Sequence, residues 1–80
     1  MIRMPYNLVI EATDDPKFFC FYSPDLHGFT GVGNSAEDCI YKARHGMAEH
    51  VAILHELDKP IPPRPDHPTI LIHDTEPAAQ

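Results

Sequence analysis

The chain has 80 residues, a net charge of −6 and a hydrophobic fraction of 42%. A chain of this size forms one domain with a small core and buries only about 60–65% of its unfolded surface. Twelve acids against six bases argue against direct binding to nucleic acid or to an anionic membrane, because both favour a basic surface. The same balance is compatible with a basic protein partner.

Four segments are predicted to form strands. Apolar residues alternate along residues 6–12, and residues 17–22 are rich in aromatic side chains, as in strands. The short turn between them predicts antiparallel pairing. Residues 29–33 predict a short third strand, and residues 69–73 predict a fourth strand after a proline-dense segment.

The stretch between the second strand and the helix carries turn and cap chemistry. Ser35 is a good helix N-cap, and Asp38 falls at the third helical position, where an acid is favourable. Apolar residues at three- and four-residue steps then predict one helix from Ser35 to about Leu57. The residues assigned to the turns and the cap are Pro24, Asp25, Gly28, Gly33 and Ser35.

The order β-β-β-α-β predicts an α+β fold: a mixed sheet of three antiparallel strands plus a fourth strand, with one long helix packed on one face. We expect a single domain over residues 1–80, with an ordered core at about 4–73 and a polar tail at 74–80. One helix covers only one face of such a sheet, yet both faces carry apolar side chains. We therefore predict a dimer or tetramer whose interface is the uncovered face, with Val9, Phe19 and Phe21 on it.

Residues that could carry catalysis do not form a recognisable motif. The six histidines include no His-Glu-x-x-His, and there is no Cys-x-x-Cys. Acids such as Glu11, Asp38 and Glu49 would have to converge to form a magnesium-dependent nuclease site, which is the enzymatic alternative. We expect no enzymatic activity, no catalytic residue, no metal and no cofactor.

The compartment is inferred from the absence of targeting signals. No signal peptide and no membrane-spanning run is visible in the chain, so we expect a cytoplasmic protein. Cys20 and Cys39 are expected to be reduced core residues. A disulfide between them remains an alternative if the helix packs on the second strand.

Acidic residues on the predicted outer stripe of the helix are candidate contacts for a basic partner. These are Glu37, Asp38, Glu49 and Glu56.

Several motifs together resemble the HicB antitoxin family. They are Pro-Asp-Leu-His-Gly at residues 24–28, Gly-Asn-Ser at 33–35 followed by acids, the long helix, and Pro-Ile-Pro at 60–62. The resemblance covers about residues 4–73 and implies a partial ribonuclease H-like fold without its catalytic acids, and dimers or higher oligomers. It also implies a partner, a small basic HicA-type toxin that cleaves messenger RNA. Many members add a C-terminal DNA-binding segment for autorepression, and this chain stops before one could fit, which argues against repressor function. Direct binding to nucleic acid is not expected, because of the acidic charge balance.

The expected function is therefore that of a non-enzymatic antitoxin-like protein, which neutralises a basic toxin by covering its surface. Two alternatives stay open. One is a stand-alone oligomeric protein-binding module with another partner, and the other is a metal-dependent nuclease with a degenerate site.

Overall fold

The computed structural model describes residues 4–73. It contains β1 (Leu8–Ala12), β2 (Phe19–Tyr22), β3 (Thr30–Gly33), α1 (Ala36–Glu56) and β4 (Ile70–His73). The predicted α+β class and the order of elements are confirmed, with strands one or two residues shorter than predicted. The predicted tail, residues 74–80, lies outside the described residues.

The four strands form one mixed sheet in the order β3-β2-β1-β4. The pairs β1–β2 and β2–β3 are antiparallel, whereas β4 lies parallel to β1. A parallel partner has to start at the same end of the sheet as β1, so the chain must return along the sheet after β3. The helix and the proline-rich segment after it make that return.

α1 begins as the sequence predicts. The Ser35 hydroxyl accepts a hydrogen bond from the Asp38 N–H at 3.0 Å, which confirms Ser35 as the N-cap. The Pro-Asp turn is also present, with Gly28 at φ +83°, a conformation that glycine adopts without steric cost. Among the described residues, α1 lacks the long apolar stretch that a membrane crossing needs.

The register of the β1–β2 hairpin determines which side chains α1 covers. Ile10 pairs with Phe21, and Ala12 pairs with Phe19. Ile10 and Phe21 lie in the buried core, so Phe19 and Phe21 face α1 while Val9 faces the other way. The prediction that Val9, Phe19 and Phe21 share the uncovered face is therefore wrong for both phenylalanines.

Both faces of β2 are apolar in sequence, and a shift of one residue in register exchanges them completely. The amino-acid composition of β2 alone therefore could not show which of its side chains face α1. We call the face opposite α1 the open face. It comprises Val9, Glu11, Cys20, Tyr22, Thr30, Val32, Leu71 and His73.

The core lies between the other face of the sheet and α1. A ring contact joins Phe21 to Phe29, with centroids 5.9 Å apart. The absence of a side chain at Gly46 lets the Phe29 ring approach the helix, because a Cβ there would lie 3.0 Å from that ring. The buried core comprises Met4, Tyr6, Leu8, Ile10, Phe21, Leu26, Phe29, Cys39, Ala43 and Met47.

Hydrogen bonds from residues just before β1 hold the returning chain in place. The buried Tyr6 hydroxyl donates to the Pro62 carbonyl at 2.7 Å. The Asn7 amide oxygen accepts from the Thr69 N–H at 2.8 Å, and the Asn7 N–H donates to an Asp25 carboxylate oxygen at 2.9 Å. One short segment therefore joins the β2–β3 turn, the proline-rich segment and the start of β4.

The end of α1 has a Schellman geometry that the sequence did not reveal. The Asp58 N–H donates to His55 O at 3.1 Å, and the Lys59 N–H donates to Leu54 O at 2.9 Å. Asp58 has φ +58°, the left-handed conformation that glycine usually supplies at this position.

Glycine at position 58 should give a more stable protein than alanine at the same position. Glycine relieves the left-handed strain, so Asp58→Gly should raise the free energy of unfolding by about 0.5–1 kcal/mol relative to Asp58→Ala. The alanine variant controls for the lost charge, since it removes the carboxylate but keeps the strain. Urea denaturation measures both, and a glycine variant no more stable than the alanine variant would contradict the assigned geometry.

Candidate functional site

The open face presents a row of apolar side chains across the sheet. Val9 pairs with Tyr22 on one side and with Leu71 on the other. Val9 is only 8% exposed between these neighbours, whereas Tyr22 is 40% and Leu71 51% exposed. Thr30 of the edge strand β3 ends this row, because it pairs with Tyr22, whereas Val32 of β3, also 51% exposed, pairs with Cys20 in a second row. The centre of the open face is thus packed within the sheet, and its flanks offer apolar surface to a partner.

A second row on the same face is more polar. Glu11 pairs with Cys20 on β2 and with His73 on β4. Glu11 and Cys20 are half-buried, and His73 is exposed. The open face therefore combines an apolar row with one carboxylate and one imidazole, a composition suited to contact with protein.

The structure separates the residues predicted to form an oligomer interface. Val9 lies on the open face, but Phe21 is 4% exposed in the core and Phe19 packs against that core. Tyr22, Val32 and Leu71 are the exposed apolar residues of this face that the sequence argument missed. The alternation within β2 could have identified Tyr22 only if the hairpin register had been known.

The predicted partner-binding acids lie on α1, on the other side of the sheet. Glu37, Glu49 and Glu56 are exposed. Asp38 is already engaged within the chain, since its carboxylate accepts from the Asn34 N–H at 3.1 Å and lies 3.1 Å from Lys42 Nζ. The hydrogen bond from Asn34, followed by that from Lys42, lowers the pKa of Asp38. The Asp38 side chain therefore serves mainly to stabilise the start of α1.

The carboxylates of the nuclease alternative do not lie together. Glu11 is on the open face, whereas Asp38 and Glu49 belong to α1 on the covered side. Across residues 4–73, no group of three or more histidine, cysteine, aspartate or glutamate side chains is arranged to hold a metal ion.

The structure shows the environment of both cysteines and of two histidines on the helix. Cys20 and Cys39 are both free thiols, and they belong to the open face and the buried core, respectively. Burial raises the pKa of the Cys39 thiol. His50 contacts the Phe29 ring edge-on at 5.9 Å, and His45 contacts Tyr41 at 4.5 Å. These imidazoles pack against aromatic rings.

No family model, curated protein or solved structure matches the chain.

The face assignment predicts losses of stability of very different size for two neighbouring aromatic residues. Phe21→Ala removes a buried ring and should destabilise the protein by about 3–5 kcal/mol. Tyr22→Ala removes a partly exposed ring on the open face and should cost about 1 kcal/mol or less. Chemical denaturation compares the two variants, and a Tyr22 variant as unstable as the Phe21 variant would show that the faces are exchanged.

Proposed function

We propose that this protein is a non-catalytic, antitoxin-like binding protein that neutralises a small basic RNA-cleaving toxin of the HicA type. The observation that carries the proposal is the open face, an apolar sheet surface that no helix of residues 4–73 covers. Function then follows from occlusion: a partner seated on this face has its own active surface blocked, and no chemistry from this chain is required.

The exposed side chains of the open face support a stable contact. An antiparallel sheet in a monomeric protein commonly has one apolar face and one polar face. Here Tyr22, Val32 and Leu71 are each at least 40% exposed on the face away from the core. Tyrosine is one of the residue types that contribute most of the binding energy at protein interfaces, and the aliphatic Val32 and Leu71 add apolar area around it.

The net negative charge of the chain supports a basic partner. The chain carries twelve acids and six bases, and a field of this sign attracts cations and raises the rate of encounter with a basic protein. A toxin that cleaves RNA needs a basic surface to bind its substrate, so the same field favours contact with that surface. The motifs that resemble the HicB family support the same partner and a cytoplasmic site of action.

The acids of α1 contribute to the rate of association rather than to the final contact. Glu37, Glu49 and Glu56 are exposed on the other side of the sheet from the open face. Charges outside the interface act through the long-range field, which salt screens over about 8–10 Å at physiological ionic strength. Association should therefore slow as salt rises, while dissociation depends mainly on the apolar contact.

The proposal is tested by adding this protein to a purified HicA-type toxin and following RNA cleavage. The wild-type protein in stoichiometric excess should abolish cleavage. Tyr22→Glu places a charge in the proposed contact and should weaken inhibition by about tenfold or more. Tyr41→Glu is the matched control, because Tyr41 is also exposed but lies on α1.

Two results would count against the proposal. Uninhibited cleavage at excess protein would favour the stand-alone binding module with another partner. Equal loss of inhibition in the Tyr22 and Tyr41 variants would show that the open face is not the contact. Thermal unfolding of each variant confirms that the substituted proteins remain folded.

A further inference from the structure

The two edges of the sheet differ in how they are protected. β4 forms one edge, and no strand of residues 4–73 pairs with its outer side. Its sequence is Ile-Leu-Ile-His, and Leu71 and Ile72, which point to opposite faces, are 51% and 54% exposed. An edge strand that is apolar on both faces is an open template for pairing with another strand.

The opposite edge carries devices that discourage such pairing. β3 contains Gly31 and Gly33, which weaken strand pairing. The Lys42 side chain also reaches this edge, where its Nζ donates to the Val32 carbonyl at 3.4 Å. A lysine placed over an edge strand is a common way to block addition of another strand. β3 is thus protected against pairing with another strand, whereas within the described residues β4 has no equivalent protection.

We propose that β4 pairs antiparallel with β4 of a second copy, which joins two sheets into one of eight strands. A two-fold axis perpendicular to the sheet keeps the two open faces on the same side. Under that symmetry, paired residues must come from the same face of the sheet. This condition leaves few registers.

In one register, every pair formed by the apolar residues 70–72 joins two apolar side chains. Leu71 then lies opposite Leu71 of the second copy, and Ile70 lies opposite Ile72 on the helix side. Side chains on both faces of β4 then gain a cross-strand neighbour, and the Cβ atoms of such pairs lie about 4.5–5.5 Å apart. No acid is present within Ile70–His73, so the paired segment itself brings no two negative charges together.

This pairing extends the open face instead of covering it. The row from Tyr22 through Val9 to Leu71 continues into the same row of the second copy. The dimer therefore presents an apolar surface of twice the width to a partner. The pairing does not depend on the proposed toxin and is measured without one.

Disulfide trapping tests the register directly. In a Cys20→Ser background, Leu71→Cys places two thiols opposite each other and should give a cross-linked dimer under mild oxidation. Val32→Cys is the matched control, since Val32 has the same 51% exposure on the same face but lies on β3. Efficient cross-linking of the Val32 variant alone, or equal cross-linking of both, would overturn edge pairing.

Sedimentation velocity of uncrosslinked protein supplies the second test. The wild-type protein should sediment as a dimer, and Ile72→Lys should raise its dissociation constant by about tenfold or more. Ile53→Lys is the control, because Ile53 is 54% exposed on α1, the same fraction as Ile72. A monomeric wild-type protein, or a dimer that Ile72→Lys leaves unchanged, would overturn the proposal.

Discussion

The pairing of Ile10 with Phe21 across the first hairpin sets the identity of both faces of the sheet. Because side chains alternate along a strand, this single register sends Leu8, Ile10 and Phe21 toward α1 and leaves Val9 and Tyr22 on the open face. A shift by one residue would bury Tyr22 and expose Phe21. The core, the open face and the apolar row that reaches β4 all follow from the observed register.

The order of the elements and the local chemistry at their ends could be predicted from the sequence. The hydroxyl of Ser35, the positive φ of Gly28 and the apolar steps of α1 are visible within a few residues, and the structure contains each of them. The hairpin register could not be predicted, because both faces of β2 are apolar. The hydrogen bond between Tyr6 and Pro62 could not be predicted either, because it joins residues 56 positions apart. Asp58 ends the helix in a conformation for which glycine is the usual sequence signal. The sequence therefore predicted that one face would be open but assigned Phe19 and Phe21 to it wrongly.

The proposed binding face and the proposed edge contact share one residue. Leu71 belongs to the open face and also to the unprotected edge strand β4. Pairing at the edge and binding at the face are consequently compatible, since the first widens the second. The acids on α1 lie away from both surfaces, and in the proposed function they act through their long-range field. In this account, a chain with a small core gains stability from a second copy and retains an apolar face for its partner.

The central claim is that the face carrying Cys20 is open and the side carrying Cys39 is closed. Its most direct test uses the unmodified protein, because both cysteines are free. Iodoacetamide labelling followed by site-resolved mass spectrometry should show Cys20 reacting much faster than Cys39, which is buried and whose pKa is raised by burial. In denaturant, the two thiols should react at similar rates. If Cys39 instead reacts as fast as Cys20 in the folded protein, the assignment of the faces is wrong, and the proposed binding surface is wrong with it.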